Sequence, residues 1–367
     1  MPLAPPTAPL RYDPSVEQPE TDEAEVGAEL VKTLRGISET TFKDGGHALR
    51  SVHAKSHGLI QAELEVLAQG HPVLAQGLFA KPGKYPVVMR YSTIPGDMLD
   101  DSVSTPRGLA IKVFGVEGER LAGADGQAQD FLLVNGPAFG APNGKAFLAN
   151  LKLLAATTDR IEGFKKIVSA ALQPIEAALA KSGHPNATLA TLGGQPETHV
   201  LGETYYSQVP LRYGDYIAKI SLAPLSPELA ALKDSPVHLH GHPDGLREAV
   251  VEFFASHGAE WELRVQLCAD LEHMPVENAA KIWPEDLSPY VAVARLRAPP
   301  QTAWSPARSA AVDDAMAFTP WHGLAAHQPL GSVMRLRKQA YEMSARFRGE
   351  HNSRPVEEPR DFTPLPD

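Results

Sequence analysis

The chain has 367 residues, of which 43% are hydrophobic, and a formal net charge of −10, enough for one large domain or two ordinary ones around a sizeable core. The negative balance argues against nucleic acid as a partner, no apolar run is long enough to span a membrane, and the N-terminus lacks the cationic start and apolar stretch of a secretory signal. The single cysteine, Cys268, excludes an internal disulfide and a cysteine-built metal site, so the chain reads as a soluble, cytoplasmic protein.

Residues 1–20 are rich in proline and read as an extended arm that either wraps a neighbouring subunit of a homo-oligomer or stays disordered. A main domain over 21–350 follows, with a polar, proline-containing tail over 351–367. Asp22-Glu-Ala-Glu25 has the form of a capping box, and Val26, Leu30, Val31, Leu34 and Ile37 form a helical stripe that Gly45-Gly46 ends. Ile60, Ala62, Leu64 and Val66 alternate with polar residues and predict a half-buried strand. Pro86 to Ser92 is a second strand, with Arg90 and Ser92 on one face and Val87, Met89 and Tyr91 on the other. Leu109 to Val116 and Asp130 to Asn135 are a third and a fourth, and four strands at short spacing predict an antiparallel sheet or barrel.

Helical stripes return at Phe147, Leu148, Leu151 and Leu154, and again at Ile161, Phe164, Ile167, Val168 and Leu172. Strands are predicted over Tyr216–Leu222, Trp261–Leu267 and Val291–Leu296, with a helix through Val250–Phe254 between the first two. His238-Leu-His240-Gly-His242 has imidazoles at alternate positions that suit zinc or copper, yet only Asp244 lies near to complete a ligand set, and a polar turn is the plainer reading. Cys268 closes a strand pattern and reads as a buried small hydrophobe.

The stretch from Arg335 to Arg348 has no Gly or Pro and predicts one helix, with Arg337 and Tyr341 a turn apart on one face. A guanidinium beside a phenol favours the phenolate. Free Tyr titrates near about 10, so an anion at neutral pH needs about 4 kcal/mol of help. Tyrosinate is a ligand for ferric iron and one of the proximal haem ligands.

Taken together, several stretches resemble the haem catalase superfamily. They are Arg50-Ser-Val-His53-Ala-Lys55, Val88-Met-Arg90-Tyr-Ser92-Thr, Pro106-Arg107-Gly108-Leu-Ala-Ile-Lys112, Lys281-Ile-Trp283-Pro284, Phe318-Thr-Pro320, and the run with Arg337, Tyr341, Arg346 and Arg348. They occur in the family's order across residues 45 to 350. The resemblance implies an α+β fold, a catalase-like antiparallel β-barrel with surrounding helices and a proximal haem-ligand helix. It implies ferric haem b as cofactor, a small-molecule peroxide as substrate, and Tyr341 on the haem iron with Arg337 beside it. His53 would be the distal acid–base, taking a proton from bound peroxide and returning it to the departing oxygen, and Ser92 would orient it. Arg50, Arg90 and Arg348, with Arg346 adjacent, would bind the haem propionates, and Val52 and Phe139 would lie against the haem.

Two departures from the family pattern bear on activity. The chain ends shortly after Arg348, as in the short catalase-related proteins without the C-terminal helical domain and its nucleotide site. The family's distal asparagine falls nearest Ala128, with Gln127 and Gln129 as candidate substitutes. The reading that follows is a haem peroxidase of organic or lipid hydroperoxides or hydrogen peroxide. The alternatives are a fatty-acid hydroperoxide isomerase or lyase like the catalase-like allene oxide synthases, a true catalase, and a non-enzymatic haem-binding protein.

Overall fold

The computed structural model describes residues 4–158 and 195–367. The stripe predicted over Ile161–Leu172 lies outside those residues. Among the described residues, nine strands form one antiparallel sheet: β1 (Ser56–Val66), β2 (Gly83–Thr93), β3 (Arg107–Phe114), β4 (Ala128–Val134), β5 (Tyr205–Tyr206), β6 (Leu211–Tyr213), β7 (Tyr216–Pro224), β8 (Ala259–Leu267) and β9 (Val291–Ala298). Their order is β5-β4-β3-β2-β1-β9-β8-β7-β6, and the pairing of Tyr205 with Leu222 joins β5 to β7. Eight strands therefore close into a barrel, and β6 hangs on β7 as a hairpin. Closure leaves the eight without a free edge.

Val87, Met89 and Tyr91 of β2 join Leu109, Ile111, Phe131 and Leu133 in the barrel core, as the alternation predicts. The opposite face of β2 is buried too, so Arg90 and Ser92 point into the protein rather than into water. That burial sets up the site.

Helices α1 (Glu23–Gly45), α2 (Gly144–Thr158) and α4 (Ser332–His351) pack together through Leu30, Leu34, Ile37, Leu148, Leu151 and Ala340, while α3 (Gly245–Ser256) covers the barrel through Val250 and Phe254. Asp22 precedes α1 but makes no side-chain cap; its carboxylate lies 3.0 Å from Lys145 Nζ instead. A Cβ at Gly144 would fall 1.9 Å from Leu336 Cδ1, so glycine there lets α2 approach α4. Arg335 ties α4 to α1 and to the N-terminal arm by pairing with Glu23 and Glu17 at 2.7 Å each, and to the loop after β8 through Glu277 at 2.8 Å. The arm packs on its own chain, with the amides of Leu10 and Tyr12 donating to the carbonyls of Cys268 and Asp215.

The tail also returns to the barrel. Phe362 meets Phe114 at a ring separation of 5.6 Å, Leu365 is buried against Leu59 and Val88, and its amide donates to Gln61. Between tail and barrel lies a balanced foursome. Lys112 Nζ donates to both Asp130 oxygens, at 2.7 and 2.9 Å, and to Glu358, while His322 Nδ1 sits 2.9 Å from Glu358. Asp130, His322 and Glu358 are a metal-binding set by type, but the Lys112 ammonium already bridges the two carboxylates. Burial opposes the charging of His322, yet the two carboxylates outweigh it and push its pKa up to about 9. The folded state holds this proton more tightly than the unfolded chain. Its contribution is therefore complete below the usual histidine value and is lost as the pH rises through about 9. Denaturant titrations should show His322→Gln less stable than the parent at pH 7, with the gap closing in buffers above that value.

Candidate haem and peroxide site

A cavity of about 450 Å³ lies where the outer face of β2, β3 and β4 meets α1, α2 and α4. That is within the span of roughly 300–1,000 Å³ usual for cofactor and ligand pockets. His53 reaches it from the loop before β1, and Tyr341 from α4.

His53 has φ of +55°, a region that costs a non-glycine residue about 1–3 kcal/mol and persists only where neighbours impose it. They do so here. The amides of His53 and Ala54 donate to the carbonyls of Ile94 and Pro95 at 2.7 and 3.0 Å, and Arg90 donates to the carbonyls of His53 and Ala54 at 2.9 and 3.0 Å. His53 Nδ1 pairs with Ser92 Oγ at 3.0 Å, which leaves Nε2 for a ligand. Ser92 stands opposite Gly108 in the register of β2 and β3, and a Cβ at Gly108 would fall 2.3 Å from the His53 ring. The imidazole therefore occupies the space that a side chain at Gly108 would fill. Burial, reinforced by Arg90, Arg337 and Arg50, pushes the His53 pKa down to about 3, so the ring is neutral throughout the physiological range.

Arg337 donates to the Tyr341 hydroxyl, as the spacing predicts, and its guanidinium carbon lies 5.2 Å from the phenol ring centre. The electrostatic expectation needs correcting. Burial raises the Tyr341 pKa and Arg337 offsets only part of that rise, so in the protein alone the phenol is neutral. Ionising it would take a further positive charge at the phenol oxygen.

Arg50, Arg90 and Arg348 all line the cavity and converge on the π-helical turn Ala310–Asp314. Arg346 does not join them and is exposed. Arg348 is seven residues after Tyr341 and returns to about the same helix face, whereas five residues turn about 140° away. Val52 and Phe139 line the cavity, with Phe139 edge-on to Phe147 at 5.0 Å. Gln127 is exposed, and Gln129 is buried with its amide carbonyl accepting from the Leu324 amide at 2.8 Å. Neither amide reaches the cavity. The reason is parity: Gln129 shares a face of β4 with Phe131 and Leu133 in the barrel core, while Leu132 and Val134 line the cavity. Among the described residues the lining contains one side-chain amide, Gln208, whose nitrogen donates to the carbonyls of Gly136 and Ala138. Gln208, Asp313 and His322 carry no local sequence signal, because contacts distant in sequence place them.

No protein-family model matches the sequence, and no curated protein matches it. Among solved structures, a fungal catalase superposes with a TM-score of 0.60 at 20% identity over 87% of this chain and 64% of that one. Catalase A of Saccharomyces cerevisiae gives 0.60 at 17% over 87% and 65%, and a bacterial catalase gives 0.56 at 15% over 96% and 66%. This chain has the catalase fold, and it spans just under two thirds of the length of those enzymes.

The cavity suits a flat iron porphyrin on two counts. Its walls present a phenol oxygen from one element and an imidazole from another, and three arginines flank it. The Nε of Arg348 is buried without a partner, a donor left over for a carboxylate. Gly108→Ala should displace the His53 ring and lower stability by about 1–3 kcal/mol, the usual range for overpacking, as chemical denaturation would measure.

Proposed function

We propose that the chain is a haem-dependent peroxidase that reduces hydroperoxides, organic and lipid hydroperoxides included, alongside hydrogen peroxide. One observation carries this reading: the His53–Ser92 pair and the Tyr341–Arg337 pair belong to different elements yet line one cavity. Tyr341 would hold the iron, and Arg50, Arg90 and Arg348 would hold the propionates. Ferric haem b, when bound, supplies an electrophilic iron and the electron transfer that the side chains cannot.

The proton chemistry belongs to the chain. A neutral His53 accepts the proton of an incoming hydroperoxide at Nε2 while Ser92 fixes the ring through Nδ1. Its low pKa makes the resulting imidazolium a strong acid, ready to return the proton to the departing oxygen. Arg337 stabilises negative charge on the Tyr341 oxygen.

The lining favours peroxidase turnover over disproportionation of hydrogen peroxide. Leu132, Val134, Ile94 and Phe139 make an apolar wall, and the Gln208 amide nitrogen is already engaged. Such a wall accepts the hydrocarbon part of an organic hydroperoxide. Haem-loaded protein should release little oxygen from hydrogen peroxide and should oxidise a reducing donor faster with an organic hydroperoxide; His53→Ala should slow that reaction by about 100-fold. Rapid oxygen release would make the protein a catalase, and rearranged hydroperoxide without donor a hydroperoxide isomerase. Tyr341→Phe should lose or remodel the ferric haem spectrum, and an unaltered spectrum would remove Tyr341 from the iron.

A further inference from the structure

The three arginines at the cavity edge do not stand alone. Asp313 lies among them in the π-helical turn, a local distortion often found at functional sites. Its Oδ1 accepts from Arg90 Nε at 2.6 Å and from an Arg50 terminal nitrogen at 3.3 Å. Its Oδ2 accepts from the hydroxyls of Ser56 and Ser309 at 2.7 and 2.8 Å. Its main-chain carbonyl accepts from Arg50 at 2.7 Å and from Arg348 at 2.5 Å. Asp314 turns away to His47 at 2.8 Å. One aspartate thus touches all three arginines, by carboxylate or by carbonyl.

We propose that Asp313 is the built-in counter-charge of this cradle and tempers its preference for a ligand with two carboxylates over a neutral one. Of the side chains in direct contact, three guanidiniums and one carboxylate leave a net charge of plus two, which two propionates would neutralise, while the neighbouring Asp314 carboxylate pairs with His47. Three unbalanced guanidiniums so deep in the protein would repel one another. Asp313 lowers that repulsion without closing the cradle, because Arg348 Nε keeps no partner. Arg90 extends the effect to the far wall: the guanidinium that meets Asp313 also holds the carbonyls of His53 and Ala54. Asp313 is accordingly a positioning residue, acting through the arginines. The inference rests on the haem reading above.

Asp313→Asn keeps the shape and removes the charge. Binding of haem and of its dimethyl ester, whose two carboxyl groups are neutral, is followed by absorbance at two salt concentrations, with apoprotein melting recorded alongside. The expected result is a lower melting temperature and a ratio of haem to ester affinity raised by about tenfold, more at low salt, because the cradle then carries an additional net positive charge. Arg50→Gln should lower the ratio, and the double variant should return it to within about twofold of the parent. If Asp313→Asn alone does not fold, the step from Arg50→Gln to the double variant carries the same test and must raise the ratio. A ratio unmoved by the loss of Asp313, with only melting affected, would make the residue structural and overturn the proposal. Parent protein that binds haem but shows no such shift faults this inference alone; parent protein that binds no haem overturns both readings.

Discussion

Arg90 is 2% exposed, and taking its guanidinium out of water carries a penalty of several kcal/mol that must be met locally. Asp313 supplies the opposite charge, and the carbonyls of His53 and Ala54 take further donors. Arg90 also sits on a strand paired on both sides within a closed barrel, which leaves little freedom to relax. The rest of the site depends on this arrangement. The strained loop that carries His53 is held at its carbonyls by the guanidinium that forms one edge of the arginine cradle. Losing either partner would expose the other to an uncompensated buried charge, so the two ends of the cavity are coupled through one side chain.

Burial acts in opposite directions on two groups that line the cavity, His53 and Tyr341. It disfavours the charged form of each, lowering the His53 pKa and raising that of Tyr341. Neighbouring arginines add to the effect on the imidazole and subtract from it on the phenol. The outcome is an unprotonated imidazole and a phenol that needs a cation to lose its proton. This asymmetry suits a cavity in which the ligand that ionises the phenol arrives with its own positive charge.

What was legible in the sequence follows the range of the contacts. Arg337 and Tyr341 meet because they are a turn apart, and Arg90 and Ser92 share a face because they are two residues apart on a strand. Both follow from element geometry. The strands were legible in the sequence except the short β5 and β6, which contain too few residues to show a period. Arg346 and Gln129 were misplaced for reasons the sequence already held, since helix rotation and strand parity turn them from the cavity. Asp313 was not legible. Its role arises from arginines more than two hundred residues earlier in the chain, and the local stretch Ala-Ala-Val-Asp313-Asp-Ala carries no period that would single it out.

The similarity to catalases at 15–20% identity fits this division. A closed barrel needs only apolar residues of suitable volume at alternate positions, a demand that many sequences meet. The loop at positive φ, the glycine beneath the imidazole and the buried arginines are far less replaceable, because each is fixed by several contacts at once. The cavity-facing positions of β4 are under looser constraint. Leu132 and Val134 are only half-buried, so an exchange of side chains there would alter what the cavity accepts at a smaller cost in packing. That is where a fold shared with catalases can change what its cavity accepts while the residues that build the cavity stay in place.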